Sequence, residues 1–132
     1  MADRDAVFPA SPHPLYEEHG YSPAIRANGL LFVSGMVGAR QDGTPEPELS
    51  EEIRLAFRNL LGVLDAAGCT FDDVVDATLF LIDPERDLET LYSVLPEFWG
   101  EKPYPTLTGI GVNWLAGFRF EIKVVAKLPE AR

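Results

Sequence analysis

Residues 24–33 read Ala-Ile-Arg-Ala-Asn-Gly-Leu-Leu-Phe-Val, and the fold is decided there. Asn28-Gly29 stands between two apolar runs, and a turn whose two central residues need positive φ favours this pair. Two antiparallel strands follow, with Ser34-Gly35 at the end of the second. Downstream, Gly38 to Glu48 holds Asp42-Gly43, Pro45 and Pro47 and reads as a surface loop. Ser50 then starts a helix with Glu51 and Glu52 near its positive end. Ile53, Phe57, Leu60, Leu61 and Leu64 form one apolar stripe, and Gly68 supplies the stop.

Thr70 and Asp73 have the spacing of a capping box around one helical turn. Val74 to Ile82 is rich in β-branched and aromatic residues and reads as a central strand. Asp83-Pro84-Glu85 gives an N-cap, a first-turn proline and an acid, and Leu88, Leu91, Tyr92, Leu95, Phe98 and Trp99 continue a second helical stripe. Pro96 should shorten or kink that helix. Thr106 to Val112 is a further strand, Asn113 to Gly117 turns the chain, and Phe118 to Val124 alternates apolar and charged residues as the last strand.

The order ββ-α-β-α-ββ predicts an α+β domain, two helices on one face of a mixed sheet. The opposite face, with its Val, Leu and Ile, is left without an internal cover. Self-association into a closed cyclic oligomer is the expected solution.

The 132 residues suit one domain spanning 1–132, with 46% hydrophobic and 24% charged residues. Eleven Lys and Arg against 21 Asp and Glu give a formal net charge of -10, which argues against nucleic acid or an anionic membrane as partner. The lone Cys69, an N-terminus without a basic region and apolar run, and the lack of a membrane-length apolar stretch point to the cytoplasm. His13 and His19 lack a second ligand pair, so no metal is expected, and they read as surface or satisfied histidines. Cys69 reads as a small half-buried side chain. Gly109-Ile-Gly111 opens no helix and makes no dinucleotide fingerprint. Glu121 stands out because it lies between Phe120 and Ile122 on a strand. It is open to two readings, a general base or water-orienting group, and a cross-strand ion pair on a solvated face.

Several motifs in fixed order resemble a known family. Tyr21-Ser22-Pro23-Ala24-Ile25, Leu31-Phe32-Val33-Ser34-Gly35, Ala56-Phe57-Arg58-Asn59-Leu60, Leu64 to Cys69, Asp72-Asp73-Val74 and Phe120 to Ala126 are similar to the RidA (YjgF) superfamily of imine/enamine deaminases. Gly38 to Pro47, Ala67 to Asp73 and Trp114 to Phe118 resemble its YjgH-type branch.

The resemblance implies a chorismate-mutase-like fold and a homotrimer whose sheets form a central β-barrel, with a small cleft between each pair of subunits. It implies a small-molecule metabolite as ligand, no cofactor, and hydrolysis of enamines and imines such as 2-aminoacrylate to a keto acid and ammonia. By position, Glu121 matches the glutamate that handles water, Ser34 and Gly35 the Ser-Gly pair of the cleft, and Tyr21 its tyrosine. The arginine that clamps the substrate carboxylate falls on Thr106, the helix asparagine on Tyr92, and the small thiol on Thr108. An uncharged or differently charged ligand held by Thr106, Thr108, Tyr92 and Trp114 is the corresponding expectation, with Arg26 and Arg119 as other sources of charge. Three functions are carried forward: hydrolysis of a C=N metabolite, non-catalytic binding or protection, and ribonuclease action, which the chain's acidity opposes.

Overall fold

The computed structural model describes residues 2–129. Its strands are β1 (Asp5–Val7), β2 (Ala24–Ala27), β3 (Leu30–Val33), β4 (Met36–Val37), β5 (Val74–Leu81), β6 (Thr106–Gly111) and β7 (Phe120–Lys127). The helices are α1 (Leu15–His19), α2 (Leu49–Ala66) and α3 (Pro84–Val94). The strands make one sheet in the order β1-β2-β3-β7-β5-β6, with β4 also pairing β7. Antiparallel pairing runs through β1, β2, β3, β7 and β5, and only β6 runs parallel to its neighbour β5, so the sheet is mixed.

Local chemistry accounts for most boundaries. Asn28 and Gly29 both adopt positive φ (51° and 78°), as a tight hairpin between β2 and β3 requires. Thr70 and Asp73 form the expected capping box around a single 3₁₀ turn. The Asp83 side chain accepts from the Arg86 amide at 3.2 Å, and Pro84 opens α3. That helix ends at Val94 and passes into a 3₁₀ turn, Leu95–Glu97, around Pro96.

The start of α2 and the inward face of α3 differ from the sequence reading, and β7 runs Phe120–Lys127 where Phe118 to Val124 is expected. Helix α2 begins at Leu49 with Glu48 as N-cap, because the Glu52 amide already donates to the Glu48 carbonyl at 2.9 Å, so Ser50 lies inside the first turn. Along α3 the inward stripe is Leu91, Val94 and Leu95, whereas Leu88 and Tyr92 stand one position round the helix and are exposed.

Helices α2 and α3 cover one sheet face. Ile53, Ala56, Phe57, Leu60 and Leu64 of α2 are completely buried against Leu31, Val33, Ala77, Leu79, Phe120, Ile122 and Val124 of the strands. Burying a side chain of this kind contributes about 1.5–3 kcal/mol before the entropy of ordering is set against it. Phe57 sits at the centre, its ring stacked on Phe98 at 4.9 Å and on Phe120 at 6.0 Å.

The other face carries no helix. In register across β7, β5 and β6 it presents Glu121 with Phe80 and Ile110, Lys123 with Thr78 and Thr108, and Val125 with Asp76 and Thr106, and Phe32 of β3 pairs Val125. It is more polar than a Val, Leu and Ile surface, with Phe32 and Ile110 as its exposed apolar groups.

Candidate functional site

The site is made by an irregularity in the sheet. Residue pairing runs Leu30↔Lys127, Leu31↔Ala126, Phe32↔Val125, then resumes as Met36↔Ile122 and Val37↔Glu121. One extra residue has entered between β3 and β4, and Ser34-Gly35 is the resulting bulge. Bulges bend a strand and re-aim its neighbours, and they recur beside active sites. Here the bulge sets Gly35 against the Glu121 side chain so closely that a Cβ at position 35 would overlap the carboxylate.

Ser34 is the strut of the bulge. Its hydroxyl donates to the Ser22 carbonyl at 2.6 Å and its amide to the Pro23 carbonyl at 2.8 Å. Both protons are thereby used within the fold, which leaves the hydroxyl lone pairs for a ligand. The same bonds fix the segment after Tyr21, whose own amide donates to the Tyr16 carbonyl at 3.0 Å. The Tyr21 ring meets Tyr16 edge-on at 4.9 Å, and Tyr16 stacks on His13 at 4.1 Å.

Electrostatics tie Tyr21 to Glu121. Burial raises the Glu121 carboxyl above its ordinary value, and the nearby Lys123 ammonium pulls it partly back. Burial also raises the Tyr21 phenol, and the negative charge of Glu121 raises it further, so Tyr21 keeps its proton beside the carboxylate. Tyr16 is pushed up to about 12, first by burial and then by Tyr21. Lys123 donates to the Val33 carbonyl at 3.2 Å, beside the bulge. Glu121 is therefore half-buried, and the reading of it as a plain solvent-face ion pair does not describe its surroundings.

The remaining expected site residues lie elsewhere on the chain. Thr106 and Thr108 are on edge strand β6, two strands from Glu121. Ideal sheet spacings put their Cα atoms about 16 Å and about 12 Å from that of Glu121. The Thr106 hydroxyl donates towards Asp76 Oδ1 at 2.6 Å and the Val75 carbonyl at 3.0 Å, so its neighbour is a carboxylate. Tyr92 is half-exposed on α3, and Trp114 is 74% exposed in the loop between β6 and β7. One chain thus gathers Tyr21, Ser34, Gly35 and Glu121 and leaves Tyr92, Thr106, Thr108 and Trp114 outside.

Neither arginine considered as a substitute clamp is at hand. Arg26 pairs with Asp5 at 3.1 Å. Arg119 binds Glu52 through its Nε at 2.8 Å and its amide at 2.7 Å, and reaches the Glu46 carbonyl at 3.0 Å.

Tyr21 and Gly35 also line a cleft of about 170 Å³ whose other walls include His13, Arg40, Arg58 and Asn59. Sequence reasoning gave these four residues no part in the site. Arg58 and Asn59 stand in a helical motif and Arg40 in a loop, and neither pattern says which way a side chain points. Asn59 Nδ2 donates to the Val37 and Ala39 carbonyls at 2.9 and 3.3 Å, pinning β4 to α2. The partly buried His13 imidazole stacks on Tyr16, and burial lowers it below its ordinary value, partly offset by a hydrogen bond to its own backbone. Cys69 is more buried than expected, at 5% exposure. Among the described residues no three His, Cys, Asp or Glu side chains converge as metal ligands, and no helix is long and apolar enough to cross a membrane.

Comparison with known proteins identifies the family. Residues 12–128 match the family described as Endoribonuclease L-PSP. RutC family protein YjgH of Escherichia coli (strain K12) is 58% identical over 130 residues, covering 98% of this chain and 99% of that protein. A solved structure of protein YJGH superposes with a TM-score of 0.92 at 57% identity, covering 98% of this chain and 99% of that one. The 2-iminobutanoate/2-iminopropanoate deaminase of Bos taurus is 32% identical over 109 residues, 80% of this chain and 78% of its own. The chain therefore belongs to the endoribonuclease L-PSP family, the RidA (YjgF) superfamily, as a chorismate-mutase-like α+β protein of the YjgH type.

Proposed function

We propose that the protein hydrolyses a small imine or enamine to a carbonyl compound and ammonia, in clefts that neighbouring copies of a homotrimer complete. The observation that carries this reading is the Glu121 carboxyl, half-buried against the Gly35 bulge beside a protonated Tyr21. A carboxyl above its ordinary range gives a proton to the imine nitrogen, and as carboxylate it takes one from the attacking water. Water adds to the C=N carbon, the nitrogen leaves as ammonia, and a C=O bond replaces C=N. An enamine enters the same sequence after protonation at carbon. The deaminase relatives, named for 2-iminobutanoate and 2-iminopropanoate, support the reaction class.

The trimer reading rests on the geometry of one chain. The open sheet face has no cover of its own, and the Thr106 edge is too far from Glu121 to share a small ligand within one subunit. Three sheets closed into a barrel would bury that face and bring one subunit's β6 to another's Glu121. No cofactor enters the scheme. A cytoplasmic location fits the lone buried thiol.

A second reading is supported by Thr106 itself. With Asp76 beside it and no arginine there, the cleft lacks the clamp on a substrate carboxylate, which suits retention of a metabolite without turnover. Ribonuclease action has least support, because a chain of net charge -10 repels a polyanion. The deciding experiment follows ammonia release from imines generated in situ, alongside the particle mass by sedimentation. Rates equal to spontaneous hydrolysis with saturable binding would favour the second reading, and a mass of one chain would remove the shared cleft.

A further inference from the structure

Tyr16 is buried where the fold needs no core residue. It is 6% exposed, yet among the described residues it is the one buried apolar side chain outside the core cluster between the helices and the sheet. Other rings cover it instead. Phe8, just after β1, meets it edge-on at 6.1 Å, His13 stacks on it at 4.1 Å, and Tyr21 meets it edge-on at 4.9 Å. Such ring pairs contribute beyond the area they bury. The backbone repeats the contact with Tyr21. Tyr16 lies in α1, five residues long, whose C-cap Gly20 turns left-handed at φ 73°, and the Tyr16 carbonyl accepts the amides of both Gly20 and Tyr21, the latter at 3.0 Å. A left-handed cap closed in this way sets the direction in which the chain leaves the helix, and Tyr21 is the first residue beyond it.

From this arrangement we propose that Tyr16 is a positioning residue that holds the Tyr21 phenol beside Glu121, through its ring and through its carbonyl. The proposal deepens the hydrolytic reading above and rests on it for its bearing on catalysis. Tyr21 is 40% exposed, so its own burial does not fix it. The chain after it is held by Ser34, which donates to the Ser22 and Pro23 carbonyls, and Tyr16 supplies the hold before it. Between the two, the Tyr21 side chain is kept in the same wall as Gly35, whose lack of a Cβ makes room for the Glu121 carboxylate. Tyr16 itself touches no reacting atom in this scheme and acts through Tyr21 alone. A displaced phenol changes the proton transfers at Glu121 more than it changes substrate binding, so the loss falls on kcat.

The test titrates the Tyr21 phenol by NMR in the assembled protein with isotope-labelled tyrosines, with and without Glu121→Gln. Because the Glu121 charge raises this phenol, Glu121→Gln is expected to lower its midpoint in wild type and in Tyr16→Phe. In Tyr16→Leu the midpoint is expected to have fallen already towards the ordinary 10.0 and to ignore Glu121→Gln, a loss of coupling that a merely structural Tyr16 would not cause. On an imine generated in situ, Tyr16→Leu is expected to lower kcat about tenfold with KM little changed, and to cost nothing further once Tyr21→Phe is present. Tyr16→Phe keeps the ring and is expected to keep the rate. Gly20 is exposed, so a second pair of variants leaves the buried ring in place should Tyr16→Leu fail to fold. Gly20→Val strains the left-handed cap and is expected to act like Tyr16→Leu in both readouts, whereas Gly20→Asn tolerates that backbone and should match wild type. The inference is overturned if Glu121→Gln moves the Tyr21 midpoint equally with and without Tyr16→Leu, if Tyr16→Phe loses as much as Tyr16→Leu, or if the Tyr16→Leu and Tyr21→Phe losses multiply. A wild-type rate equal to spontaneous hydrolysis would remove the proposed reaction alone, and the titration then decides whether Tyr16 holds Tyr21.

Discussion

Glu121 fills the space that a side chain on residue 35 would need. A Cβ built on Gly35 overlaps Glu121 Oε2 and lies 3.0 Å from its Cγ. Since φ at Gly35 is not in the left-handed region, alanine is excluded there by the glutamate and not by the backbone. Gly38 offers the contrast, because its Cβ would overlap the backbone carbonyl of Glu52 in α2. Gly35→Ala is expected to displace the carboxylate, which can swing away, and so to lower ammonia release at least about tenfold with a stability loss under about 1 kcal/mol. Gly38→Ala meets rigid backbone and is expected to cost about 2–3 kcal/mol. Denaturant unfolding and the activity assay, run on both variants, read the two effects separately.

Glu52 is completely buried, and both its oxygens are engaged by Arg119, which immediately precedes Phe120 and Glu121. Replacing Glu52 takes the ion partner from the Arg119 guanidinium, which is 33% exposed, and leaves an amide in the fully buried place of the carboxylate. Glu52→Gln is expected to lower stability by about 3 kcal/mol. The double variant Glu52→Gln with Arg119→Met should recover part of that loss in a denaturant-melt cycle.

The raised Glu121 carboxyl has two consequences for pH. Activity that needs the carboxylate should rise with pH through a midpoint above the ordinary 4.5, and Lys123→Met should move that midpoint higher by removing the opposing ammonium. For stability the sign is set by the raised folded value. The contribution of this carboxyl is full below the unfolded value of 4.5 and is lost as pH rises through the folded one. Glu121→Gln should therefore gain stability relative to wild type as pH rises across that window, and the two melting profiles taken against pH show it.

Asp76 decides what an arginine at position 106 can do. Its Oδ1 lies 2.6 Å from the Thr106 hydroxyl, so a guanidinium placed there has a carboxylate partner already waiting. Thr106→Arg alone should add little activity on carboxylate-bearing imines. Thr106→Arg combined with Asp76→Asn should raise kcat/KM on them about tenfold or more, while imines without a carboxylate are unaffected. Comparing the two substrate classes across both variants measures this.

Much of this fold was legible because its signals are local. Asn28-Gly29 needs only its own φ values, and Asp83-Pro84 and Pro96 mark the two ends of α3 through bonds made or lost within a turn. What escaped depends on distant strands. Strand β1 exists because Asp5 pairs with Arg26, and β4 because Met36 and Val37 pair with Ile122 and Glu121. The bulge at Ser34-Gly35 is a slip in register against β7, and no stretch of sequence taken alone contains a register. In the folded chain Tyr21, Ser34, Gly35 and Glu121 lie close together. The separation of Thr106 from Glu121, its tie to Asp76, and the arginine-walled cleft come from strand order and side-chain direction, which periodicity does not record.

The central claim is that Glu121 drives C=N hydrolysis. The most direct test is ammonia release from a 2-iminobutanoate-type imine generated in situ, comparing wild type with Glu121→Gln at equal protein concentration. The account predicts a wild-type rate well above spontaneous hydrolysis and a loss of at least about a hundredfold in Glu121→Gln, in the range that removing a general acid or base produces. Equal rates for the two proteins, or a wild-type rate no faster than the uncatalysed reaction on every imine tried, would contradict it.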